Sequence, residues 1–166
     1  MKDQLKLFNL IFIGILSFQN CFAQDIYHEL TNAENIKTVV CYAYNNGDDF
    51  SKRYLQSPAA SLNSNTNIIL EFDDLDANYA QYHARIIHCD KNWQQSKLLD
   101  LEILDGFNDF FLNTYEVSSG TKVPYYHYVF RIPRPKISGN FVIQIFKDQL
   151  DGELIIQKKI YFCLNL

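Results

Sequence analysis

Residues 82–93 read Tyr82-His83-Ala84-Arg85-Ile86-Ile87-His88-Cys89-Asp90-Lys91-Asn92-Trp93. Successive side chains of an extended chain point to opposite faces. Tyr82, Ala84, Ile86 and His88 therefore share one face, and His83 and Arg85 lie on the other. The run ends in a polar turn, Asp90 to Asn92, closed by the only tryptophan. A half-buried strand that runs into a short polar turn is a building unit of antiparallel β folds.

The flanking sequence repeats this unit. Ile36–Tyr44 is β-branched and aromatic, and the turn formers Asn45-Asn46-Gly47-Asp48-Asp49 follow it. Pro58–Leu62 reads as a short edge strand, because an edge tolerates the missing proline N–H. Residues 67–72 alternate, with Ile68, Leu70 and Phe72 on one face and Ile69 and Glu71 on the other. Asp73-Asp74-Leu75-Asp76 then turns the chain as a solvated acidic loop. Leu98–Leu104 is apolar and ambiguous between helix and strand. Asp109–Ser118 is β-like, and Val123–Ile132 is a long strand with Tyr126, Tyr128, Phe130 and Ile132 on one face. Pro133 and Pro135 stop it. Two more strands, Phe141–Phe146 and Glu153–Leu164, are joined by an Asp151-Gly152 turn. Seven or eight strands without a long amphipathic helix predict an all-β fold. The expected form is an antiparallel two-sheet sandwich of immunoglobulin-like shape, with a closed barrel as the alternative.

The start of the chain is of another kind. Lys2 and Lys6 precede the apolar run Leu7–Phe18, and Cys21-Phe22-Ala23 has small residues placed for cleavage. We read residues 1–23 as a signal peptide. Its apolar run is too short to span a bilayer as a helix, so the protein is not expected to be membrane-spanning. Cleavage after Ala23 leaves residues 24–166, one domain with room for a real core. Losing Lys2, Lys6 and Asp3 takes the formal charge from −4 to −5. An acidic surface of this kind does not attract nucleic acid or anionic lipid. Cys41, Cys89 and Cys163 survive processing. Three widely spaced cysteines form neither a disulfide framework nor a zinc or redox motif. They read as buried thiols, with one disulfide as the alternative.

Several residues invite a chemical reading. His88 and Cys89 are adjacent, but neighbours on a strand face opposite ways and cannot form a nucleophile–base pair. The reading is a histidine at the core edge bonded to backbone, a buried thiol, and an Asp90 that caps the turn. Trp93 reads as a core plug on its apolar area. Asp74-x-Asp76-x-Asn78 opens like a calcium loop, but Tyr79 stands where that loop needs glycine and Arg85 where it needs glutamate. His83 and His127 lack the spaced partners of a zinc site. No phosphate loop, dinucleotide fingerprint or hydrolase elbow occurs. Catalytic residues, metal ligands, cofactors and a small-molecule substrate are thus not expected. The tyrosines, 11 in all, suggest one rival function: a periplasmic or secreted sandwich that binds carbohydrate through an aromatic face around Tyr125.

A larger pattern is present. Leu70-Glu71-Phe72-Asp73-Asp74-Leu75 is followed by Ile86-x-His88-Cys89-Asp90-x-x-Trp93. Leu104-Asp105-Gly106-Phe107 comes next, then Ser118 and Thr121 with Tyr125 and Tyr128, and finally Ile137-Ser138-Gly139-Asn140-Phe141. In this order and spacing the residues resemble the N-terminal domain of the type IX secretion system plug protein of Bacteroidetes. The resemblance runs from about Ile36 to Phe162. It implies a non-enzymatic periplasmic protein at the inner face of the outer membrane. There it would close the mouth of the large translocon barrel by protein–protein docking. It implies no catalytic residues. Phe72, Asp73, His88, Cys89, Asp90, Trp93, Asp105, Gly106, Ser138, Gly139 and Asn140 are then expected to set the fold. Proteins of that family carry later domains, which this chain is expected to lack.

Overall fold

The structure, a computed structural model, describes residues 26–165 apart from 46, 48 and 77. The expected signal peptide, with Cys21, lies outside the described residues, as do two positions of the 45–49 turn. Among the described residues there are ten strands: β1 (Leu30–Thr31), β2 (Ile36–Tyr44), β3 (Ala59–Ser61), β4 (Asn67–Asp74), β5 (Tyr82–Cys89), β6 (Phe110–Phe111), β7 (Tyr115–Val117), β8 (Tyr126–Ile132), β9 (Gly139–Lys147) and β10 (Glu153–Cys163). A 3-10 turn covers Phe50–Leu55, and one helical turn, α1, covers Asp100–Ile103.

The strands form two sheets. The first has the order β1-β10-β9-β5-β6, and the second β2-β4-β8-β7. All pairings are antiparallel except that of β3, which lies parallel to the C-terminal half of β10. The architecture is the expected two-sheet sandwich. The core between the sheets collects the faces read from alternation: Ile68, Leu70 and Phe72 of β4, Tyr82, Ala84 and Ile86 of β5, and Tyr128, Phe130 and Ile132 of β8. Facing them are Phe141, Ile143 and Ile145 of β9 and Ile156, Ile160 and Phe162 of β10. A register shift near Leu154–Ile156 turns both Ile155 and Ile156 into buried positions.

Four local readings change. Residues 109–118 do not make one strand. β6 pairs with β5 in the first sheet and β7 with β8 in the second, and polar Asn113 and Thr114 lie at the crossing. The ambiguous segment 98–104 is helical only over α1, whose Ile103 is buried. Asp74 is not solvated. It is fully buried, and its carboxylate accepts from Asn35 Nδ2 at 2.5 Å, the Asp76 amide at 2.9 Å and the Tyr82 hydroxyl at 2.9 Å. Trp93 does not enter the main core. It lies on the outer face of the first sheet with Tyr27, over a small second cluster of Ile87, Cys89 and Val142.

All three described cysteines are free. Burial pushes the thiols of Cys41 and Cys89 up to about 12 from an ordinary 9.0. Burial also raises Tyr82 and Tyr128, the former helped by the Asp74 carboxylate. An unfolded chain gives up the thiol protons from about pH 9, while the fold holds them to about 12. This stabilisation is complete below pH 9 and drains away as pH rises toward 12. Thermal melts between pH 7 and 11 are expected to be level at first and to fall steeply above about pH 9. A level Tm up to pH 11 would contradict the burial of these groups.

Candidate functional site

β5 borders β9 on one side, and on the other it meets only the two-residue β6, opposite His83 and Ala84. Its outward backbone groups are satisfied piecemeal. The Leu112 amide donates to the Tyr82 carbonyl at 2.9 Å. The buried amide side chain of Asn108 then takes both groups of Ile86, accepting from its N–H at 2.9 Å and donating to its carbonyl at 2.7 Å. The Ser96 amide reaches the His88 carbonyl at 2.9 Å. Between these supports lies a cavity of about 140 Å³ lined by Arg85, His88, Ser96, Leu98, Asp100 and Asn108 among others.

Antiparallel register brings the signature motifs to this same end. Cys89 pairs with Asn140, and His88 with Phe141. Asn140 Nδ2 donates to the Asp90 carbonyl at 3.1 Å. The Asp90 carboxylate caps its turn, accepting from the amides of Asn92 at 2.7 Å and Gln94 at 3.0 Å. Trp93 completes the turn with a left-handed backbone, φ 63°. Its indole stands edge-on to Tyr161, and the Lys159 ammonium lies 4.3 Å from the ring centroid. One residue before the Ile137-Ser138-Gly139-Asn140 entry, Lys136 ties in the third motif. Its ammonium meets Asp105 at 2.8 Å and the Leu101 carbonyl at 3.0 Å, and its amide donates to Ile103. Gly106 takes φ +105°, which favours glycine. Ser138 is exposed.

Phe72 and Asp73 lie apart, on β4. Phe72 is in the core, and the Asp73 carboxylate meets His127 Nδ1 at 2.7 Å on the outer face of the second sheet. That face also holds a buried Glu71, bonded to the Tyr42 hydroxyl, 3.8 Å from Arg53 and 3.9 Å from His127 Nε2. His83 meets Asp109 at 2.7 Å. Among the described residues no three such groups converge to hold a metal. Asn108 and the Glu71 cluster were not legible as sites: a lone amide in a loop and a lone acid on a strand carry no spacing signal.

The chemistry of His88 and Cys89 follows from their positions. Cys89 faces the second cluster, and its buried thiol stays protonated at neutral pH, which removes the nucleophile. The His88 ring lies 5.0 Å from that of Phe141, and burial lowers its proton affinity. Its Nδ1 is buried with no hydrogen-bond partner, so the expected bond to backbone is absent at that nitrogen. A Cβ on Gly139 would sit 2.5 Å from His88 Nε2. Glycine is what lets the two motifs close on each other. Gly139→Ala is expected to destabilise the domain by about 1–3 kcal/mol through overpacking. His88→Ala should recover part of that loss in the double variant. Chemical denaturation of the four proteins checks this, and strict additivity would break the link. The tyrosines around β7 and β8 pack on one another: Tyr79, Tyr115 and Tyr126 meet at interplanar angles of 43°, 63° and 68° rather than forming one flat shelf.

Comparison with curated proteins gives no match. Among solved structures, the fold resembles a hypothetical protein from Parabacteroides merdae ATCC 43184, with a TM-score of 0.75 and 24% identity. The alignment covers 85% of this chain and 35% of that one, so the chain spans about a third of that relative's length. Residues 36–163 match the family described as type 9 secretion system plug protein 1st domain. That match begins at the first residue of β2, ends at the last of β10 and contains every motif placed above, so the chain belongs to the plug protein first-domain family.

Proposed function

We propose that the domain is a non-enzymatic docking component of the type 9 secretion system. It would be held in the periplasm against the outer-membrane translocon barrel and would oppose passage sterically. The observation that carries the reading is the family match over residues 36–163, from β2 to β10. Two buried polar side chains, Asp74 and Asn108, are spent on internal contacts, as a scaffold requires. The signature residues would then set the fold, with His88 and Gly139 closing one end and Lys136 and Asp105 bracing the adjoining loop. Export through the 1–23 leader, with cleavage near Ala23, belongs to the same proposal.

A C-terminally tagged chain, expressed in its own host and mildly cross-linked, tests this. Recovery of the translocon barrel supports docking. An exported, folded protein that never brings down the barrel would remove it.

A further inference from the structure

We propose that the connection spanning residues 98–107 is the surface by which the domain meets its partner. The partner's matching face would be apolar, flanked by basic groups. This inference rests on the docking reading above and names its surface.

The connection is both rigid and apolar on the outside. Ile103 and Leu104 are buried and root it in the main core. The Glu102 carboxylate accepts from the Leu99 amide at 2.7 Å, and Leu104 N–H closes α1 onto Asp100 at 2.8 Å. Lys136 holds the far side through Leu101, Ile103 and Asp105. Asn108, the next residue after the segment, is clamped on β5. Yet Leu99 is 70%, Leu101 71% and Phe107 92% exposed. Scattered exposed apolar residues need no explanation, but three large ones within nine residues of a braced segment do. Phe107 stands between a glycine with positive φ and a buried clamp, so the chain is fixed on both sides of a solvated ring. The braced backbone lowers the ordering cost of binding through these side chains.

The charges select the occupant. Residues 98–107 carry Asp100, Glu102 and Asp105 and no basic residue; Lys136 pairs with Asp105, which leaves Asp100 and Glu102 as the charges beside the apolar side chains. A second copy would bring the same acids against them, which disfavours self-association through this face. A basic-flanked partner gains from each. The adjoining cavity adds a polar socket. Arg85 Nε and His88 Nδ1, on two of its lining residues, are buried without hydrogen-bond partners.

The test places a photo-activated cross-linking residue at Leu99, at Phe107, or at Lys37 on β2, the far edge of the second sheet. The tagged full chain is used in its own host. Adducts with the translocon barrel from Leu99 and Phe107 but not from Lys37 are expected. Barrel adducts from Lys37 alone would leave docking intact and overturn this surface. No barrel adduct from any position, with the protein exported and folded, would remove the docking reading itself. Adducts only to a second copy, or to the chain's own N-terminal residues, would also overturn the proposal. Phe107→Ala and Asp100→Lys should each lower barrel recovery about tenfold or more while leaving Tm near that of the parent. Unchanged recovery in both would count against it.

Discussion

Phe72→Ala is expected to cost about 3–5 kcal/mol. Phe72 is fully buried and lies where the two sheets face each other. Its ring stacks on Tyr128 of its own sheet, centroids 5.1 Å apart and planes 10° apart, and meets Tyr82 of the other sheet edge-on at 5.2 Å. Both tyrosines end in hydrogen bonds that hold them in place. Tyr128 donates to the Ala80 carbonyl at 2.7 Å, and Tyr82 to the buried Asp74 at 2.9 Å. With the hydroxyls anchored, the rings cannot collapse into the space a missing phenyl leaves. The site should therefore sit at the costly end of the large-to-small range, where the residual cavity adds to the lost transfer energy. A domain of this size is stable by only about 5–15 kcal/mol, so the variant would be marginal. Denaturant titration should show a lower midpoint at unchanged slope. Tyr82→Phe, which keeps the ring, should lose less, about 1–3 kcal/mol for the bereft Asp74. If Phe72→Ala cost no more than Tyr82→Phe, the anchored-ring account would be wrong.

The sheets were largely legible because burial on one face imposes period two. Ile68, Leu70 and Phe72 could be assigned to the core from alternation alone. What the sequence hid depends on register between distant segments. Residues 88–93 and 138–140 look unrelated along the chain, and only the β5–β9 pairing sets Gly139 against His88 and Asn140 against Asp90. Trp93 was misplaced for a related reason. Its apolar area says that it packs but not on which side, and the Asp90 turn carries it to the outer face. Asp74 and Glu71 are acids in or next to acidic runs, and solvent is the ordinary place for them. Asn35, Tyr82 and Tyr42 come from remote strands and loops to bury them. The motifs recognised by order and spacing turn out to be mainly the parts that close one end of the sandwich. The apolar crest they brace was not singled out by any pattern, because exposure is a property of the folded loop.

Asn108→Ala is the second large effect expected, about 2–4 kcal/mol. The wild-type amide acts as a one-residue strand, completing the Ile86 backbone from a position too irregular to pair as β structure. Alanine removes both bonds at once and leaves a buried N–H and a buried carbonyl, each costing about 1–3 kcal/mol when unmet. Asn108→Asp separates the two. A carboxylate still accepts from the Ile86 N–H, but its second oxygen faces the Ile86 carbonyl, where the native NH₂ donates at 2.7 Å. Protonation would restore a donor. The folded state of that variant should therefore bind a proton more readily than the unfolded chain, and its deficit relative to wild type should shrink as pH falls toward about 4. Alanine has no such recovery. Hydrogen exchange at the Ile86 amide reports the same bond locally: protection should fall in Asn108→Ala more than at Ile143, which pairs with Ile86 from β9. Full protection at Ile86 would mean that neighbouring segments close the gap unaided. Loss of protection together with weaker barrel recovery would tie the clamp to the surface it carries, because Asn108 fixes the chain one residue beyond the exposed Phe107.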